Sequence, residues 1–68
     1  MSKQRQELVD RLMAQAAELQ SHRQWYVYYS SIDSQWASDC RVDRANKMDT
    51  VIRDMKMTIN AIENLFDY

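Results

Sequence analysis

A single histidine and a single cysteine are the side chains of this 68-residue chain that most directly suggest chemistry. His22 and Cys40 would form a thiol–imidazole pair if the imidazole could remove the thiol proton. That chemistry needs direct contact between the two groups and a third group that orients the base. Many helical turns separate the two residues, so one helix cannot bring them together. We interpret Cys40 as a core thiol and His22 as an interfacial residue.

Glu18 and His22 are spaced so that one helix face would present two metal ligands. A di-iron bundle, however, needs Glu-x-x-His in duplicate together with further inward-facing glutamates. This chain has Glu7, Glu18, Glu63 and one histidine. It has no glycine, which excludes a glycine-rich phosphate loop. We therefore predict a non-enzymatic protein without a metal or a cofactor.

Basic residues near the aromatic rings raise the question of nucleic acid. Arg41, Arg44 and Lys47 recur every three residues, and cations interleaved with rings can hold a single strand. Asp39 and Asp43 interleave with these cations, and the formal net charge is −1. A solvated helix face with i,i+4 ion pairs explains the pattern better. Nucleic acid is therefore not an expected partner.

The stretch WYVYY, residues 25–29, places five large side chains next to one another. At about 100° per residue they cover the whole circumference of a helix. A strand would need a second β-like run as its partner, and the sequence has none. A helix that is apolar on several sides needs cover from several directions, which a dimer or higher oligomer provides. The alternative is that Tyr28 and one other ring lie on the surface with solvated hydroxyls.

Glycine and proline are both absent, which favours long helices with few turns. The C-terminal half carries apolar residues at alternating spacings of three and four, an a/d heptad seam. It consists of Ala45, Met48, Ile52, Met55, Ile59, Ile62 and Phe66. We predict a helix from about Asp43 to about Phe66. A second helix is predicted in the N-terminal half from the similar spacing of Val9, Leu12, Ala16 and Leu19.

The turn between the helices has two candidate positions. Residues 30–34 offer Ser30 and Asp33 as a capping pair, and residues 38–43 are the other candidate. A break at Ser21 would give three helices instead. The predicted fold class is all-α. It is a single domain, residues 1–68, built as a long two-helix antiparallel hairpin that assembles into a homo-oligomeric helical bundle.

Size favours self-association, because a chain this short buries only a modest core. One cysteine and one histidine cannot supply a disulfide or a structural zinc site. We expect a homo-oligomer, most simply a dimer. Its predicted core is Leu12, Leu19, Tyr26, Met48, Ile52, Met55, Ile59, Ile62 and Phe66. The sequence has no signal-peptide-like apolar region and no membrane-spanning run, and with its free thiol this predicts a cytoplasmic protein.

The function that this pattern favours is binding of a macromolecular partner, as a small adaptor, inhibitor or regulatory protein. Trp and Tyr side chains tend to carry the energy of protein interfaces. The predicted partner-binding residues are Trp25, Tyr28, Tyr29, Trp36 and Arg23. The alternative is a bundle that sequesters a planar anion such as a nucleotide between protomers, held by these rings with Arg23 or His22.

Overall fold

The computed structural model describes residues 3–66, with side chains described through residue 65. They form two α-helices, α1 (Lys3–Ser30) and α2 (Gln35–Phe66), joined by residues 31–34. The helices pack against each other, and no strand occurs in this part of the chain. The fold is therefore all-helical, as the sequence predicts. The chain forms a rod with extents of 52 × 14 × 11 Å.

Contacts between the helices run in antiparallel order. Near the loop, the rings of Tyr29 and Trp36 meet. Farther from the loop, the Arg44 guanidinium of α2 bonds to His22 of α1. Farther still, Thr58 of α2 bonds to Gln15 of α1. The predicted antiparallel hairpin is thus present within one protomer.

The loop is held by serine side chains in place of glycine. At the end of α1, the Ser30 hydroxyl donates to the Tyr26 carbonyl at 2.8 Å, and the Ser31 hydroxyl donates to the Tyr28 carbonyl at 2.6 Å. The Tyr28 carbonyl also accepts from the Ser31 N–H at 3.1 Å, so the serine hydroxyls add second donors to carbonyls of the last turn. Among the described residues, none has a positive φ, so this turn does not need glycine.

Helix α2 begins where Ser34 caps it. The Ser34 hydroxyl accepts a hydrogen bond from the Ala37 N–H at 3.1 Å, as an N-cap residue does. The turn therefore lies at the first of the two predicted positions, but the predicted capping pair of Ser30 and Asp33 is wrong. The predicted start near Asp43 is also wrong, because capping by Ser34 lets the helix begin at Gln35.

The other two candidate breaks do not occur. Helix α1 continues through Ser21, so the hairpin has two helices and not three. Residues 38–43 belong to α2 and form no turn. Neither segment contains a residue that disfavours helix as strongly as glycine or proline would.

Residues spaced seven apart form a column along one side of a helix. The column of α2 that is buried against α1 lies next to the heptad seam that the sequence predicts, not within it. On α2, Ala37, Val51 and Thr58 are buried, and their spacing in sequence is a multiple of seven. Ile52 and Ile59, which belong to the predicted seam, are 38% and 40% exposed. Helix α2 has three adjacent apolar columns, and the hairpin covers fully only one of them.

The interior of the hairpin is small. Helix α1 has no buried residue, and among the described side chains no large one is fully buried. The α1 residues that face α2 are instead partly covered. They include Leu8, Leu12, Gln15, Leu19, His22, Tyr26 and Tyr29. Two helices alone enclose little, because most side chains in their seam still border solvent on one side.

Within residues 3–66, neither helix combines the length and the apolar character that crossing a lipid bilayer requires.

Candidate protein-interaction surface

The hairpin has two lateral flanks, one on each side of the seam, and one of them is charged. We call it the charged flank and define it by Arg11, Glu18 and Trp25 of α1 with Lys47 and Asp54 of α2. The charged residues of the two helices line shallow grooves together, which places them on the same side of the hairpin. The α1 members recur every seven residues, as do Lys47 and Asp54, so each set forms a row along its helix.

The opposite flank is apolar. The helical period places two further rows of seven-residue spacing there, and we call them the apolar flank: Val9 and Ala16 of α1 with Ala45, Ile52 and Ile59 of α2. Val9 and Ala45 are partly covered, whereas Ala16, Ile52 and Ile59 are exposed. The same hairpin geometry therefore produces one flank of charges and one of hydrocarbon.

Four rings form an aromatic cluster at the loop end of the charged flank, defined as Trp25, Tyr28, Tyr29 and Trp36. Trp25 stacks on Tyr29 with ring centroids 5.8 Å apart and meets Tyr28 edge to face at the same distance. Tyr29 meets Trp36 of the other helix edge to face at 5.6 Å. These are the geometries that aromatic pairs prefer. The cluster is thus ordered by its own contacts.

Much of this ordered cluster faces solvent. Trp25 is 45% exposed and Trp36 is 61% exposed, while Tyr29 is half-buried between them. Contiguous exposed apolar patches, unlike single scattered residues, are typical of interaction sites.

Arg44 holds the cluster from the α2 side. Its Nη1 donates to His22 Nδ1 at 2.9 Å, and its Cζ lies 5.6 Å from the centre of the Trp25 ring. An arginine only donates, so Nδ1 must be the accepting nitrogen of His22. The ring proton then sits on Nε2, which faces the Glu18 carboxylate at 3.5 Å. Both nitrogens of this imidazole are therefore engaged.

Sequence reasoning missed the role of Arg44, because it treated this residue as part of a solvated basic face. The side chain is half-buried in the seam. A signal for this was present: Arg44 lies seven residues after Ala37 and seven before Val51, in the buried column of α2. Half-burial of its aliphatic stem with its charged head on a ring is a favourable arrangement for arginine.

The predicted partner-binding residues fall into two places. Trp25, Tyr28, Tyr29 and Trp36 are brought together in the aromatic cluster. Arg23 is exposed and occupies the heptad position of Val9 and Ala16, on the other side of the hairpin.

The predicted oligomer-core residues lie along the apolar flank and its edge. Ile52 and Ile59 are exposed on the flank itself. The others with described side chains are half-buried at the edge of the seam: Leu12, Leu19, Tyr26, Met48, Met55 and Ile62. The side chain of Phe66 lies outside the described ones.

The predicted chemical candidates are engaged elsewhere. His22 bonds to Arg44 and faces Glu18, so neither ring nitrogen is available to take a proton from a thiol. Cys40 is a half-buried free thiol. In the described part of the chain, no three His, Cys, Asp or Glu side chains lie close enough to hold a metal ion.

Comparison of the chain with protein-family models, with curated proteins and with solved structures finds no match.

Proposed function

We propose that this chain is a small non-enzymatic interaction protein of the cytoplasm that self-associates and binds a protein partner through the aromatic cluster. It acts as an adaptor, inhibitor or regulator of that partner. The observation that carries the proposal is the ordered, solvent-facing set of rings at the loop end.

Preordering is the physical reason why such a cluster suits recognition. Binding costs about 0.5–1.5 kcal/mol for each flexible side chain that an interface immobilises. Here the ring contacts and the Arg44 guanidinium already restrict Trp25, so that part of the entropy cost falls on folding. Trp and Tyr are also the residues whose truncation most often weakens an interface by 2 kcal/mol or more, as a typical hot-spot value.

The charged flank next to the cluster provides the polar margin that interfaces usually have. Glu18, Lys47 and Asp54 line a groove with His22, the residue that bonds to the Arg44 lying over Trp25. A polar rim around apolar anchors excludes water from the anchors and sets orientation. This arrangement suits a protein surface better than a nucleic acid, because cations and carboxylates alternate on the flank.

The test is quantitative affinity capture from lysate with the wild-type chain and with a Trp25→Ala/Trp36→Ala double variant. We expect the variant to lose the captured protein by at least tenfold, because two exposed anchors are removed. Met57→Ala is the matched control, since Met57 is 72% exposed but lies outside the cluster. Circular dichroism establishes that all three chains are helical. Equal capture by the double variant and the control would refute the aromatic cluster as the binding surface.

Thermal unfolding against a nucleotide panel distinguishes the alternative of a ligand-sequestering bundle. A ligand that binds the folded state raises the melting temperature by mass action. A protein-interaction module is expected to show no shift. A saturable rise that the Trp25→Ala/Trp36→Ala variant lacks would replace protein recognition with ligand sequestration.

A further inference from the structure

The hairpin exposes more surface than a folded chain of its mass normally does. Its accessible surface is 5392 Å² at a mass of 8.2 kDa. The scaling found for monomeric proteins predicts roughly 4500 Å² at this mass. The excess, roughly 900 Å², is close to the roughly 800 Å² that each partner buries in an interface of standard size.

The apolar flank is the part of the hairpin that would bury such an area favourably. Its α2 row presents Ile52 and Ile59, and the half-buried Met48, Met55 and Ile62 form its inner edge. The charged flank cannot be covered in the same way, since it would desolvate Glu18, Lys47 and Asp54.

We propose that a second copy of this chain covers the apolar flank, giving a four-helix bundle in which α1 of each copy lies across from α2 of the other and both loops point the same way. This inference rests on the self-association in the proposed function and specifies its surface and orientation. Every neighbouring pair of helices in this arrangement is antiparallel.

Side-chain size selects this orientation. With the loops at the same end, Ala16 of one copy lies level with Ile52 of the other, and Val9 lies level with Ile59. Small residues then face large ones, which keeps the spacing of the two layers even. The opposite orientation would place α2 on α2 and α1 on α1. Isoleucines would then meet isoleucines while Ala16 faced only small side chains, leaving a void.

The outer margin of the apolar flank supports the same orientation. Val27 is 58% exposed and Val42 is 56% exposed, and each lies one column outside the flank on its own helix. With the loops at the same end, Val27 of one copy lies level with Val42 of the other. Two exposed valines of each copy thereby gain an apolar contact that the hairpin alone does not give them.

The proposed arrangement also accommodates the charged side chain of Arg23. It is a charged residue in the otherwise apolar row of Val9 and Ala16, and it lies level with Ala45 of the other copy. The small alanine leaves room for the arginine stem, and Asp49 follows one turn later on the same helix. We expect Arg23 of one copy to pair with Asp49 of the other at the bundle margin.

The arrangement has a consequence for recognition. Both aromatic clusters lie on the outer, charged flanks of the bundle, at the same end. They stay exposed after self-association, and a dimer would engage two copies of a partner, or a partner that is itself dimeric. Bivalent binding of this kind raises the apparent affinity without any new contact.

Cross-linking with a short bis-maleimide tests the orientation. In a Cys40→Ser background, the Val27→Cys/Val42→Cys double variant should form a covalent dimer in high yield. Each single-cysteine variant should give at least tenfold less, because identical positions lie diagonally across the bundle. The wild-type chain is a further control, since its Cys40 lies on the charged flank. A non-covalent dimer whose double variant does not cross-link would overturn the orientation.

Sedimentation equilibrium tests the surface. Ile52→Glu should raise the dimer dissociation constant about 100-fold or more, because each copy would bury an unpaired carboxylate. Met57→Glu adds the same charge to the same helix outside the apolar flank and should leave the constant within about threefold, as expected for an exposed site. If Ile52→Glu unfolds, the yield of covalent dimer from the Val27→Cys/Val42→Cys variant tests the surface instead, because its substitutions lie at exposed positions.

The outcomes separate this inference from the proposed recognition function. A wild-type chain that is monomeric at 100 µM, or a dimer that Ile52→Glu leaves intact, overturns the proposed dimer while partner capture by the aromatic cluster can still succeed. Loss of partner capture in the Trp25→Ala/Trp36→Ala variant with an unchanged dimer supports both proposals. Equal capture by that variant refutes the aromatic site and leaves the dimer standing.

Discussion

The charged flank and the apolar flank occupy equivalent positions on either side of one seam, yet their compositions are opposite. On the charged flank, Glu18, Lys47 and Asp54 meet water, and Lys47 forms an ion pair with Asp43 one turn earlier on the same helix. On the apolar flank, Ile52 and Ile59 meet water without a partner. The difference teaches that one flank is suited to solvent, and it supports the proposal that a second copy covers the other.

The seam between the flanks is correspondingly thin. Its buried column on α2 contains Ala37, Val51 and Thr58, none of which is large. Two cross-helix hydrogen bonds add specificity: Arg44 to His22, and Thr58 to Gln15. Such a seam sets which residues of the two helices meet, but it encloses little hydrocarbon. In the proposed dimer, stability would then depend strongly on the second copy that covers the apolar flank.

The largest expected effect comes from a charge on the apolar flank. Ile59→Lys should destabilise the assembled state by about 3 kcal/mol or more, because two ammonium groups would be buried without partners. Thermal unfolding at several protein concentrations measures this: the wild-type melting temperature should rise with concentration, and that of the variant should not. Met57→Lys is the control. A variant that melts like the wild type at every concentration would remove the distinction between the two flanks.

The next effect comes from the seam itself. Val51→Ala should cost about 2 kcal/mol in free energy of unfolding, because Val51 is 5% exposed and loses two buried carbons. Urea denaturation at fixed concentration gives the value. Met57→Ala removes more atoms from an exposed side chain and should change stability by less than about 0.5 kcal/mol. Equal effects of the two variants would contradict the position of the seam.

Arg44→Met should cost about 1–2 kcal/mol, since it removes the hydrogen bond to His22 and the cation from the Trp25 ring while keeping an apolar stem. The emission of the two tryptophans should shift towards longer wavelength, because Trp25 loses its cover. Arg53→Met, at an exposed position of the same helix, is the matched control. An unchanged spectrum would mean that Arg44 does not order the aromatic cluster.

The smallest effect is expected at Thr58. Thr58→Val keeps the shape of a buried side chain but removes the donor to Gln15, so we expect a loss of about 0.5–1 kcal/mol. Thr50→Val is a close control, because the Thr50 hydroxyl is exposed and donates to the carbonyl four residues before it. A stabilised Thr58→Val chain would show that the stability of the seam is limited by the amount of buried hydrocarbon and not by polar pairing.

Sequence reasoning located the right residues for the cluster but could not assemble it. The run Trp25–Tyr29 implies a helix with rings on several sides, and its contact with Trp36 depends on the turn. That turn was ambiguous between residues 30–34 and 38–43, because the chain has no glycine or proline to mark the break. The N–H of Ala37 on the Ser34 hydroxyl decides the matter, and with it the contact between Tyr29 and Trp36.

The sequence by itself determined that the chain is helical, and it favoured a two-helix hairpin over three helices. It also predicted more apolar surface than two helices cover. These properties follow from residue types and from their spacing of three and four, which hold for each helix separately. Only the tertiary structure decided which of the three apolar columns of α2 faces α1, and hence which flank stays exposed. Spacing alone cannot choose among adjacent columns, because each has the same period. The choice depends on which side chains of the facing helix can form hydrogen bonds. Here Gln15 of α1 accepts from Thr58, and His22 of α1 accepts from Arg44.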